Sequence, residues 1–470
     1  MEQEPKIPAA EIIAKLQSLV EEQWVKTAES DLQAFGTDWT KAFEAAPLCI
    51  VFPANADQVV SIVKLANEFK VALVPSGGRT GLSGGAVAMN GEVVIAFDRM
   101  NKILDFNAAD RLVCCEAGVI TEQLQQFATN EGLFYPVDFA SSGSSQIAGN
   151  VATNAGGIKV IRYGMTRNWI AGMKVVTGSG ELLDLNRGLS KNATGYDLRH
   201  LFIGSEGTLG FIVELTLSLC NPPKDPTVLV LGLDSMTSTM PVLQAFQSGL
   251  NLTAYEFFSH KSLLHVMEEK GLQKPFESDA EFYALIEFEN TSGDDMDKAM
   301  TLFEECLESG WIVDGTISQN LTQAESLWRL REDISETISK FTPYKNDISV
   351  KVSDVPAFLQ QVDELVSEAY PDFEIIWFGH IGDGNVHLNI LKPETMEVKE
   401  FFEKCGEVST WVFEIVEKFG GSISAEHGVG LLKKPYLKYS RSKSEIEYMK
   451  SIKRVFDPNN IINPGKLIDL

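Results

Sequence analysis

Along the first 70 residues apolar side chains recur at helical spacing, as in Ile12, Leu16 and Val20 and again in Val59, Ile62, Val63 and Ala66, so helices are expected there. From residue 71 the pattern changes. Short β-rich runs at 71–74, 93–97, 113–116, 173–176 and 211–217 alternate with connections rich in glycine and serine, which predicts a loop-rich sheet region to about residue 220. The segment CNPPKDP at 220–226 stops both helix and strand and marks a boundary. Beyond it, strands at 227–232, 281–287, 347–352 and 374–378 mix with amphipathic helices near 239–250, 295–309, 321–340, 354–370 and 395–419. That order predicts an α+β domain with an antiparallel sheet and helices packed on it. The tail is expected to be helical from 444 to Phe456 and to close on the loop DPNNIINPGK. The expected domains are therefore 1–222, 223–443 and a C-terminal segment, 444–470.

A chain of 470 residues has room for two or three folding units and a large buried ligand. A formal charge of -25 disfavours nucleic acid and anionic lipid as partners. The N-terminus MEQEPKIPAA lacks the basic and apolar regions of a signal peptide, and no apolar run approaches the ~20 residues of a spanning helix. The expectation is a cytoplasmic protein that does not span a membrane. Six scattered cysteines with no C-x-x-C pair indicate reduced core residues rather than a disulfide framework or an iron–sulfur cluster.

Three glycine-rich segments follow the first sheet runs. Pro75-Ser76-Gly77-Gly78-Arg79-Thr80-Gly81-Leu82-Ser83 comes directly after a strand, and its glycines let backbone N–H groups converge on one anion, a pyrophosphate by preference. No helix follows and no G-x-G-x-x-G is present, which argues against a nicotinamide-binding Rossmann unit and a P-loop. The second segment runs from Ser141 through Ser142, Gly143, Gly149, Asn150, Thr153 and Asn154 to Gly156 and Gly157. The third is Gly204-Ser205-Glu206-Gly207-Thr208-Leu209-Gly210, followed by Phe211 and Ile212. Small residues over such lengths let backbone lie against a flat ligand.

The stretches PSGGRTGLSGGAV, GNVATNAGG and LFIGSEGTLGFIVE resemble the FAD-binding domain of flavoenzymes of the vanillyl-alcohol-oxidase (PCMH) type. The resemblance implies an FAD domain of two α+β subdomains, with the first segment at the pyrophosphate and the second and third along the adenosine and the ring system. It also implies that Asn463, in the closing NPGK, returns toward the flavin domain. Relatives that hold the flavin covalently use a histidine in the first loop or a cysteine elsewhere, and loop 76–85 has neither, so non-covalent FAD is expected.

Half of the six histidines, His380, His387 and His427, fall within 48 residues. In WFGHIGDGNVHLN, Asp383-Gly384 reads as a two-residue hairpin turn. Gly382 then pairs with Asn385 and His380 lies directly opposite His387, with Asn389 and Phe378 bordering the pair. Two imidazoles on one face suit a metal ion. In SAEHGVG, Glu426 is the natural third ligand, leaving His427 as acid or base. The alternative is a stacked histidine pair with no metal.

GHIGDGNVHLN with SAEHGVG resembles the metal-dependent D-2-hydroxy acid dehydrogenases of the same flavin family, above all those acting on D-2-hydroxyglutarate. The resemblance implies His380, His387 and Glu426 as ligands of a divalent metal, commonly zinc, with manganese or iron also compatible. It implies His427 as the base that also meets the substrate, Asn389 beside the substrate, and Arg331 and Lys345 as its carboxylate anchors. Ser335 stands where relatives often carry threonine. The activity so implied is oxidation of D-2-hydroxyglutarate to 2-oxoglutarate; D-lactate or glycolate oxidation and a non-catalytic FAD-binding subunit are the rival readings. An electron-transfer flavoprotein, a quinone or a cytochrome would take the electrons, and the assembly is left open up to a homodimer.

Overall fold

The computed structural model describes residues 8–470; residues 1–7, part of the N-terminal segment read above for a signal, lie outside the described residues. One compact unit takes the chain up to Ala155, then Met165–Pro222 and Glu426–Leu470; the other takes Gly156–Gly164 and Pro223–Ala425.

In the first unit, β1 (Val25–Lys26), β2 (Cys49–Val51), β3 (Leu73–Ser76) and β4 (Val93–Ala96) form a sheet in the order β1-β2-β4-β3. Strands β2 and β3 run parallel to β4, and β2 and β4 are wholly apolar and buried, as parallel strands covered on both faces require. Helices Ala9–Val20 and Ala56–Phe69 form where the spacing predicted them and bury Ile12, Leu16, Val20, Val59, Ile62, Val63 and Ala66 in one core with this sheet. Asn55 starts the second of them by accepting from the Gln58 N–H. A second sheet, antiparallel, joins β5 (Ile103–Asn107), β6 (Leu112–Glu116), β7 (Ile170–Thr177), β8 (Leu182–Leu185) and β9 (Gly210–Ser218) in the order β5-β6-β9-β7-β8. The chain's end returns to the first sheet: Leu73 N–H donates to Ile461 O, and Asn463 N–H to Leu73 O, both at 2.7 Å.

The second unit is built on one antiparallel sheet of β10 (Pro226–Leu233), β11 (Leu252–Ser259), β12 (Phe282–Glu289), β13 (Ile312–Ile317), β14 (Tyr344–Ser349), β15 (Glu374–Gly379) and β16 (Asn385–Leu391), ordered β13-β10-β12-β11-β15-β16-β14. Leu263, Val266, Trp328, Leu330 and Ile334 from helices pack with Val228, Val230, Phe258 and Phe378 of the sheet. The α+β class expected from the pattern is what forms.

Three local expectations change. Strand β11 was not anticipated: it is buried along its whole length, so it lacks the alternation that marks a half-exposed strand. The strand expected at 347–352 lies at Tyr344–Ser349, because Val350 N–H leaves the ladder for Gly384 O. The helix expected over 321–340 breaks into Leu321–Glu332, Ile334–Thr337 and a 3₁₀ turn, Ile338–Phe341. The second unit also closes at Ala425 rather than 443, since Leu431 and Leu432 donate their N–H groups to Ser83 O in the first.

Candidate active site

Strands β15 and β16 pair with Phe378 opposite His387, Trp377 opposite Leu388 and Ile376 opposite Asn389. The expected register, with His380 facing His387 and Gly382 paired to Asn385, is therefore two residues out. The reason is the connection, which spans 380–384 rather than two residues. Gly382 donates its N–H to Tyr255 O on β11, and Asp383 Oδ1 takes the Asn385 N–H at 3.1 Å. Gly384 sits at φ +85° with Val350 O only 2.1 Å from where a Cβ would be, so the position demands glycine. A slip of two preserves the face that each side chain occupies. The two imidazoles accordingly still meet, with ring centroids 5.3 Å apart and planes at 86°.

The neighbouring strand enlarges this face. Lys345 stands opposite Asn389, and Asp347 opposite His387, across the β14–β16 ladder. Asp347 is buried; its Oδ1 accepts from Asn385 Nδ2 at 2.8 Å and lies 3.8 Å from His387 Nδ1. Lys345 Nζ donates to Ser335 Oγ at 3.0 Å, which gives the serine a definite task. The lysine residue as a whole is exposed, yet desolvation around its ammonium lowers its pKa.

Ser422 bridges Ser349 on β14, and four residues on come Glu426 and His427. His380 and His387 stand together in the second unit, with Asp347 beside His387, and Glu426 and His427 open the closing segment of the first; imidazole and carboxylate are both metal-ligating groups. Two imidazoles and a carboxylate are the donor set of a catalytic divalent-metal centre, so the residues present fit a metal.

The loop that carries His427 is fixed by its own backbone. Ser83 Oγ donates to His427 O, and the Glu206 carboxylate accepts the N–H groups of Val429 and Gly430 at 2.8 and 2.7 Å. Burial raises the Glu206 pKa, and those two N–H donors pull it the other way. Gly430, at φ +51°, has Ser83 O 2.1 Å from the position of a Cβ. Glu206 and Ser83, expected at a cofactor, thus direct their side chains to the histidine loop.

Within the first unit, which takes the second segment as far as Ala155, the three glycine-rich segments pack on one another. Gly78 leaves only 2.1 Å between a would-be Cβ and Ser144 O, and Gly207 leaves 2.6 Å to Pro75. Asn463 Nδ2 donates to both Gly85 O and Glu206 O. Arg79 lies over Phe35 and donates to Gly77 O. Asn150 donates to Thr121, Thr153 bonds back to its own helix, and Asn154 accepts the Arg167 N–H, so these side chains are engaged within the fold. By contrast Gln146 Oε1 and Asn463 Oδ1 are buried acceptors with no partner among the described residues. Backbone brought close by glycine, with buried acceptors left over, fits a flat ligand bearing N–H donors, as FAD is.

Two carboxylates escaped the sequence reading. Glu256, at the centre of β11, has both oxygens 2.8 Å from His380 Nδ1 and lies 2.8 Å from Arg331 Nη2. Asp347 is the other. For Glu256 the available signal was a lone acid inside a largely apolar strand, LTAYEFFS, which is costly unless partnered; the polar run YKNDIS gave no such signal for Asp347. Arg331 is itself buried, with its guanidinium carbon 4.8 Å above the Phe378 ring, and its Nε has no partner among the described residues.

Comparison with known proteins agrees with the two-part architecture. Residues 47–186 match the family model described as FAD binding domain, and 222–467 that of FAD linked oxidases, C-terminal domain. The chain is 63% identical over 456 residues to D-2-hydroxyglutarate dehydrogenase of Stutzerimonas stutzeri, covering 97% of this chain and 98% of that one. It is 51% identical to the enzyme of the same name from Xanthomonas citri, covering 97% of each. Among solved structures, 4-ethylphenol oxidase from Gulosibacter chungangensis shares the fold with a TM-score of 0.77 at 16% identity, over 97% of this chain and 96% of that one. The chain therefore belongs to the FAD-linked D-2-hydroxy acid dehydrogenases, oxidoreductases of the vanillyl-alcohol-oxidase type.

Proposed function

We propose that this enzyme oxidises D-2-hydroxyglutarate to 2-oxoglutarate with the help of a divalent metal, zinc by preference, held by His380, His387 and Glu426. The observation that carries the reading is the meeting of the His380 and His387 imidazoles, ring centroids 5.3 Å apart, on one face of the second unit's sheet, with Glu256 against one ring and Asp347 against the other. Bound there, a divalent cation supplies Lewis acidity that makes a hydroxyl easier to deprotonate, and bound FAD supplies the hydride acceptor.

The chain's own side chains do the remainder. His427 takes the hydroxyl proton of the substrate. Arg331 holds the carboxylate next to the reacting carbon through its planar fork, Lys345 holds the distal carboxylate, and Asn389 borders the substrate. The segments at 75–83, 142–157 and 206–212, with Asn463, hold the FAD without a covalent bond. The electrons leave to an external acceptor, an electron-transfer flavoprotein, a quinone or a cytochrome.

The relatives named D-2-hydroxyglutarate dehydrogenase support the dicarboxylate over D-lactate or glycolate. Steady-state assays with an artificial electron acceptor test the choice. A kcat/KM for D-2-hydroxyglutarate at least tenfold above that for D-lactate and glycolate is expected; the reverse ranking would replace the substrate while keeping the class of reaction.

A further inference from the structure

A carboxylate in the middle of an apolar strand needs a reason to be there. Glu256 is 1% exposed, and both of its flanks on β11, Tyr255 and Phe257, are fully buried aromatic residues. Its two oxygens both stand 2.8 Å from His380 Nδ1. Oε2 also stands 2.8 Å from Arg331 Nη2, a charge contact that lies off the line of the guanidinium N–H bonds and so leaves that nitrogen without a well-directed hydrogen bond. One buried group thus touches the two residues to which the proposed function gives separate tasks, a metal ligand and a substrate anchor.

We infer that Glu256 is a positioning residue that joins those tasks. Resting on the reading above, the assignment has two parts. By accepting at Nδ1, Glu256 keeps the proton of neutral His380 on that nitrogen and leaves Nε2 as the ring's ligand atom; a carboxylate behind a ligating histidine also raises the basicity of the ring and fixes its orientation. By holding one edge of Arg331, which Phe378 supports from below, it sets the guanidinium plane and leaves the buried, unpartnered Nε toward a second carboxylate, that of the substrate. Metal affinity and substrate affinity are then coupled through a single residue that contacts neither ligand.

The test uses the FAD-loaded enzyme and Glu256→Gln, which keeps the shape and removes the charge. Zinc affinity, measured by competition with a chromophoric chelator, is expected to fall by about 10- to 100-fold, with a parallel rise in KM for D-2-hydroxyglutarate and unchanged FAD content. In the unmodified, metal-free protein, nitrogen NMR of labelled imidazoles is expected to show His380 protonated at Nδ1, the signal being assigned by its loss in His380→Gln. That second measurement holds even if the glutamine variant does not fold. Unaltered zinc affinity and KM in Glu256→Gln, or His380 protonated at Nε2 in the unmodified protein, would overturn the assignment; so would a protein that takes up no zinc. Failure of the proposed substrate is read separately, in turnover of D-2-hydroxyglutarate by the unmodified enzyme, because neither the zinc affinity ratio nor the tautomer depends on turnover.

Discussion

At the scale of the residue, the proposed function makes substrate choice turn on Lys345. A charge-assisted hydrogen bond contributes roughly 1.5–3 kcal/mol, which corresponds to at least about tenfold in affinity. Lys345→Met is therefore expected to raise KM for D-2-hydroxyglutarate at least about tenfold while leaving that for D-lactate, which lacks the distal carboxylate, nearly unchanged. Steady-state kinetics on both substrates decide it, and equal effects would remove Lys345 from its role. The same residue sets a pH dependence. Desolvation lowers its pKa, so it loses its proton at a lower pH than an ordinary lysine and is charged only below that point. KM for the dicarboxylate is thus expected to climb as pH rises on the alkaline side of neutrality, KM for D-lactate to stay level over that range, and Lys345→Arg to remove the climb. Arg331→Lys keeps the charge but loses the planar fork, and it is expected to raise KM for both substrates.

Elements hold these residues in place, and the turns between them carry most of the constraint. At Gly384 a side chain would face both a left-handed backbone and the carbonyl of Val350 at 2.1 Å, whereas Gly271, at φ +64°, has open space around it. Gly271→Ala is expected to cost about 1 kcal/mol, the backbone penalty alone, and Gly384→Ala several times as much, with loss of metal binding. Thermal unfolding and zinc titration of the two variants make the comparison; equal costs would mean that the five-residue connection does not hold the histidine hairpin. This connection also shows where reading from sequence stops. Asp-Gly between apolar runs announced a hairpin, and the parity of the strands put His380 and His387 on one face, but the length of the turn was settled by Tyr255 O, a partner more than a hundred residues away. Glu256 was hidden for a similar reason: its strand is buried on both faces, and its partners, His380 and Arg331, come from distant parts of the chain.

Taken as a whole molecule, the chain declared its α+β class and its FAD-binding domain through local chemistry: glycines where backbone approaches backbone, and apolar residues at helical spacing. Sheet order was not legible, because β11 reaches β15 through a pairing that spans over a hundred residues. Nor was the route by which residues 426–443 leave the second unit, since the bonds of Glu206 and Ser83 to that loop cross more than two hundred positions. Among the described residues no helix is long and apolar enough to cross a membrane. The central claim of the proposal is that a dicarboxylate alcohol is oxidised with the help of a metal held by histidines, FAD taking the hydride. The most direct measurement is anaerobic mixing of the FAD-loaded protein with D-2-hydroxyglutarate while the visible flavin absorbance is followed, first as isolated, then after chelation, then after zinc is restored. The account requires rapid bleaching, its loss on chelation and its return with zinc; bleaching that persists in the chelated, metal-free protein would contradict it.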